Sequence, residues 1–145
     1  MTQVHFYHNA ANPLGLTCEL VARAFSGGRR VAIRTPESAG TKQLDDALWT
    51  FEHGSFIPHV LVGSPLEQET PVVLGHAEPV AGWPHQDLLF NLSPEVPTGF
   101  EDFRMVVEIV SQNEEDRLKA RSRWMRYKSL GADLKAFDAV RRERM

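Results

Sequence analysis

The sequence predicts a single α/β domain spanning residues 1–145, three layers deep, with a mixed, mostly parallel sheet and a long C-terminal helix. Three observations predict it. Short aliphatic runs alternate with amphipathic helical segments in the order strand, helix, strand, helix, then further strands. Gly/Pro-rich turns separate the later strands. With 42% hydrophobic and 24% charged residues, the composition is that of an ordinary folded domain with a core of its own.

Each element has a local reason. Thr2 to Tyr7 alternates and carries Val4, Phe6 and Tyr7, a first strand. Asn9 to Pro13 is a loop. Leu16 to Ser26 places Cys18, Val21, Ala22 and Phe25 on one helical face, and Gly27-Gly28 stops the helix. Val31-Ala32-Ile33 reads as a short buried strand. Thr41 is the expected cap of a second helix, in which Leu44 and Leu48 face inward at i, i+4. Strands follow at Val60–Val62, Val72–Leu74 and Leu88–Phe90. Phe103 to Val110 suits a strand or a short helix, and the alternation of Phe103, Met105, Val107 and Ile109 favours the strand. Asn113 then caps the long helix, whose first turn, Glu114-Glu115-Asp116, places acids where the helix dipole favours them.

The charge is unevenly placed. Sixteen Lys/Arg against nineteen Asp/Glu leave a net charge of −3, which argues against a protein that coats nucleic acid through bulk charge. Residues 1–116 nevertheless hold six cations and sixteen acids, whereas residues 117–145 hold ten cations and three acids. Arg117, Lys119, Arg121, Arg123, Arg126 and Lys128 follow one another with no acid between them. A basic element on an acidic body fits an anionic partner; it equally fits a solvated helix.

Catalytic signatures are missing. The connection after the first strand contains Gly15 alone, so no G-x-G-x-x-G or G-x-x-x-x-G-K-[ST] loop is there to cradle phosphates. A Rossmann-like shape without its glycines is a scaffold, and shape alone does not confer function. His5 and His8 point to opposite faces of a strand, and His53 and His59 flank a turn with only Glu52 at ligand spacing. Cys18, the single cysteine, faces the core, which leaves no disulfide and no cysteine-ligated metal. The expectation is a non-catalytic chain with no cofactor and no metal. No apolar run approaches the ~18 residues of a membrane span and the N-terminus is no signal peptide, so a cytoplasmic protein is expected.

Two features look like binding surfaces. On the last helix, Arg117, Arg121 and Lys128 form a cationic row, with Leu118 and Met125 on one side and Ala120, Trp124 and Tyr127 on the other. Cations between apolar rows suit a ligand both acidic and hydrophobic, such as a peptide tail with a terminal aromatic residue. The second feature is Trp49 and Phe56, with Phe51 between them, near Pro58, a residue that suits an edge strand. Aromatics bordering an unpaired edge often anchor a partner; core packing is the competing reading.

Phe6-Tyr7, Gly28 to Ile33, the Leu44-Asp45-x-x-Leu48-Trp49 and Ser55-Phe56-x-Pro58-His59 block, and Ala120-Arg121-x-Arg123 with Tyr127 and Gly131 together resemble the chi subunits of bacterial DNA polymerase III holoenzyme. The resemblance runs through nearly the whole chain in the same order. It implies a Rossmann-like fold that binds no nucleotide. It also implies a non-catalytic accessory subunit of the clamp-loader assembly, one that holds the acidic C-terminal tail of single-stranded DNA-binding protein (SSB), a tail ending in phenylalanine. By position, Val110, Arg121 and Trp124 would form the tail pocket, with Arg126 and Lys128 as neighbouring cations. Arg121 is the expected partner of the tail carboxylate, because a guanidinium offers a bidentate fork. Met125 stands where better-known members carry a lysine, which leaves Arg126 as the candidate cation there; Trp124 replaces a tyrosine. The second surface, at Trp49, Phe56 and Pro58, would bind the psi subunit or, in some members, an XPD-like helicase. DNA would be met mainly through SSB, at the replisome in the nucleoid. The alternative is a direct binder of single-stranded nucleic acid that stacks bases on Trp124 and Tyr127 of the basic helix.

Overall fold

The computed structural model describes residues 2–36, 38–50, 57–62, 64–66, 68–75, 83–139 and 143–144. Its elements are β1 (Gln3–Ala10), α1 (Pro13–Ser26), β2 (Val31–Arg34), α2 (Ser38–Thr50), β3 (His59–Leu61), β4 (Val72–Gly75), β5 (Leu88–Asn91), β6 (Met105–Ser111), α3 (Glu114–Ser129), β7 (Asp133–Asp138) and β8 (Glu143–Arg144). The strands lie in the order β3-β4-β2-β5-β6-β1-β7-β8. Seven of them run parallel, and only β8 pairs antiparallel, against β7. The expected α/β architecture with a mostly parallel, Rossmann-like sheet is therefore present.

Period-two alternation sends successive strand residues to opposite faces, and each face has its own core. Ile33, Leu74, Phe90 and Val107 pack with Leu20 and Val21 of α1 and Leu44 and Leu48 of α2. On the other face Phe6, Leu89, Val106 and Val110 pack with Ala120 and Tyr127 of α3. Phe100 and Phe103, around a short 3-10 turn, extend that second core.

The helix ends follow local chemistry. Asn113 caps α3 as expected: its Oδ1 accepts from the Asp116 amide at 3.1 Å. At α1 the expected start is a turn late, because Asn12 is the cap and Oδ1 accepts from the Gly15 amide at 3.1 Å. Thr41 is not a cap. It lies inside α2, buried, with its hydroxyl bonded to that of Thr35.

The chain does not end with α3. Gly131, at φ +84°, takes the left-handed turn that few side chains tolerate, and the backbone returns as β7 alongside β1. This strand was not anticipated. Only Leu134 and Ala136 mark its core face, too short a pattern to stand out in a charged segment.

Candidate functional site

α3 is held on the sheet by a buried polar knot. Glu108, in the otherwise apolar run of β6, is fully buried. Its carboxylate accepts from Arg123 Nε at 3.0 Å, from Asn91 Nδ2 at 2.7 Å and from the Tyr127 hydroxyl. Ser93 Oγ in turn donates to Asn91 Oδ1 at 2.6 Å. Burial pushes the Glu108 carboxyl above the usual carboxylate range, opposed by Arg123, Tyr127 and Asn91. Burial and the adjacent carboxylate push the Tyr127 phenol up, so its hydroxyl remains a donor. Arg123 thus leaves the exposed cation run in which the sequence placed it; it is 5% exposed and belongs to the core.

With Arg123 and Tyr127 turned inward, the remaining cations of α3 are turned outward. Arg117, Arg121, Ala120 and Trp124 of α3, with His8 of β1 and Ala136 of β7, enclose an open concavity of about 300 Å3. Trp124 is half-buried. It meets the Phe6 ring edge-on at a centroid distance of 5.1 Å, so it packs on the core while it also lines the concavity. Arg117 and Arg121 are exposed, and neither has a carboxylate partner among the described residues. Two guanidinium groups beside an indole provide bidentate anion recognition and an apolar wall within one small depression.

Not every predicted pocket residue faces it. Val110 is fully buried beneath α3, so the apolar surface of the concavity is Ala120, Ala136 and Trp124 instead. Met125, Arg126 and Lys128 are exposed on α3 but do not line the concavity; Met125 and Leu118 form an exposed apolar row. Arg117 was legible as part of the cationic row but was not singled out, and His8 was missed. The signal for His8 was its alternation with Phe6 on the core-facing side of β1. Tyr127 is sealed in the core with its hydroxyl on Glu108, so it offers no face for stacking a base. That removes one of the two rings required by direct nucleic-acid binding.

The second surface is partly described. Trp49 is 50% exposed at the end of α2, and its ring lies 4.5 Å from that of His59. His59 is buried, with Nδ1 2.7 Å from the Ile57 carbonyl and Nε2 2.8 Å from Asp45 Oδ1. Its acidic partner is therefore Asp45 of α2, fourteen residues away, where the sequence offered only Glu52. Pro58 is half-buried just before the edge strand β3. Phe51, His53 and Phe56 lie outside the described residues.

Beside the N-terminus of α1 a depression of about 350 Å3 is lined by Ala10, Asn12, Gly15 and Glu19 among others. The Gly15 amide that would meet a phosphate is already taken by Asn12, and Glu19 would repel one. Cys18 is buried, and burial pushes its thiol up to about 11, so it remains a protonated core residue. Among the described residues no three His, Cys, Asp or Glu side chains gather as metal ligands, and no helix is long and apolar enough to cross a membrane.

These features define a Rossmann-like α/β protein whose distinctive surface is a cationic, indole-walled concavity of about 300 Å3. The chain belongs to the family described as DNA polymerase III chi subunit, HolC, whose model matches residues 1–135. It is 36% identical over 138 residues to the DNA polymerase III subunit chi of Pseudomonas aeruginosa, covering 92% of this chain and 94% of that one. It is 29% identical over 125 residues to the Escherichia coli subunit, covering 82% and 80%. Against the Haemophilus influenzae subunit it is 26% identical over 119 residues, covering 82% of each. Membership places the chain in DNA replication.

Proposed function

We propose that this chain is a non-catalytic adaptor of the clamp-loader assembly that binds the acidic C-terminal tail of SSB in the concavity on α3. The supporting observation is the pairing of Arg117 and Arg121, which lack carboxylate partners among the described residues, with the Trp124 wall. Arg121 takes the terminal carboxylate and Trp124 flanks the terminal ring. Arg117 meets an upstream acid, and Arg126 and Lys128 extend the positive field along the helix. A separate surface at Trp49, Pro58 and Phe56 holds a partner subunit, psi or another clamp-loader or helicase protein. DNA is reached mainly through SSB, in the cytoplasm at the replisome.

Titration with an acidic peptide ending in phenylalanine tests the tail site. Affinity is expected to fall with salt and to collapse by at least about tenfold when the terminal phenylalanine is removed. An oligonucleotide that binds as tightly as the intact peptide would refute the reading. The second surface predicts that Trp49→Ala loses capture of the partner subunit in co-purification while peptide affinity is unchanged. Loss of both would point to a damaged fold and against a separate surface.

A further inference from the structure

His8 lies near the end of β1, just before the register irregularity that precedes Ala10. Its ring stacks on Phe6 at 5.8 Å and 17°, and Phe6 in turn meets the edge of Trp124. This run of three rings fixes the imidazole in the same concavity as Arg117 and Arg121. No hydrogen bond to its ring nitrogens is formed among the described residues, so the ring is held by packing and both nitrogens remain available.

The charged groups facing it come from two elements. Arg117 and Arg121 approach from α3, and Asp138, the register partner of His8, lies on β7. On the neighbouring β6 the acid of the same face, Glu108, is engaged by Arg123, Tyr127 and Asn91. Burial, with Arg117 in support, pushes the imidazole below its usual range, and Asp138 pulls the other way. In the free protein His8 is therefore neutral at neutral pH. An acidic peptide end reverses the local balance: its carboxylates neutralise the arginines that repel an imidazolium and attract that imidazolium directly.

We propose that His8 is a binding residue of this concavity and takes up one proton from solvent when an acidic peptide docks there. The inference rests on the tail-binding reading above and adds to it a coupling between affinity and pH. The proton goes to the unprotonated ring nitrogen, and no bond in the peptide changes. The sign follows from linkage. The bound state holds the proton more tightly than the free state, so the gain in affinity is complete below the free imidazole's pKa and is lost as pH rises through the bound one. The carboxyl groups of the peptide titrate well below this window and leave it clear.

The test is calorimetric titration of the full chain with an acidic peptide ending in a free phenylalanine carboxylate, at about pH 6 and about pH 7.5. At each pH it is repeated in buffers of low and high ionisation enthalpy, which counts the protons taken up. Affinity is expected to rise about three- to tenfold at the lower pH, with net proton uptake on binding across this interval. His8→Gln is expected to abolish both the uptake and the low-pH gain. The wild-type proton count stands without the variant, should the variant fold poorly. Peptide binding with a flat pH profile and no uptake overturns the inference and leaves tail binding standing. Uptake that persists in a folded His8→Gln protein assigns the proton elsewhere and also overturns it. Absence of peptide binding at both pH values overturns both.

Discussion

Replacing Glu108 with leucine is expected to destabilise the protein by about 3–5 kcal/mol, the usual cost of stranding one partner of a buried ion pair. The carboxylate receives Arg123 Nε at 3.0 Å, Asn91 Nδ2 at 2.7 Å and the Tyr127 hydroxyl, so its removal leaves Arg123 Nε and the Tyr127 hydroxyl without that acceptor inside the core, while Asn91 Nδ2 keeps the Glu95 carbonyl at 2.8 Å. Arg123 suffers most, because its stem is packed under α3 and the guanidinium has only the Pro94 carbonyl, at 3.5 Å, as a further contact. Urea denaturation of the single variant and of Glu108→Leu combined with Arg123→Met checks this. The double variant is expected to recover much of the loss, since an apolar pair of similar volume carries no desolvation cost. A single variant within about 1 kcal/mol of the parent would show that the knot does not secure α3.

That knot also marks where sequence reading stopped. The Asn113 cap and the three acids after it were legible, because cap chemistry is local and involves residues three apart. So was the alternation of Met105, Val107 and Ile109 on one face of β6, although Phe103, ahead of the strand, packs in the opposite core. Glu108 in the middle of that alternation required a buried cation, but a strand's partner across the layer is set by tertiary register, and six cations on the next helix were candidates. Nothing in the sequence singles out Arg123 from the other five cations for that reason, or says whether the row of Ala120, Trp124 and Tyr127 faces the sheet or a ligand. The same limit applies to His59, whose acid came from the preceding helix, and to His8, which reaches its concavity only because β7 returns beside β1. The cationic row itself was legible from a spacing of four and seven. Its division into binding and structural members was not, because helix geometry gives the angle between side chains but not which angle faces the sheet.

Arg121→Ala is expected to weaken binding of the acidic peptide by about 1.5–3 kcal/mol, the scale of a charge-assisted hydrogen bond lost at a partly desolvated site, while the melting temperature is unchanged. The side chain is exposed, has no partner among the described residues and lines the concavity, so its removal leaves no buried group unsatisfied. This separates it from Arg123, two residues on, whose loss acts on stability through Glu108. Arg121→Lys discriminates further. A lysine retains the charge but not the planar fork, so it is expected to recover only part of the affinity if Arg121 grips a carboxylate in bidentate fashion, and nearly all of it if the arginine acts as a general positive field. Calorimetric titration at two salt concentrations distinguishes these outcomes: a field effect is screened away as ionic strength rises, whereas a direct contact keeps most of its difference between Arg and Lys. Unchanged peptide affinity in a folded Arg121→Ala protein would remove Arg121 from the site and leave Arg117 as the guanidinium lining the concavity.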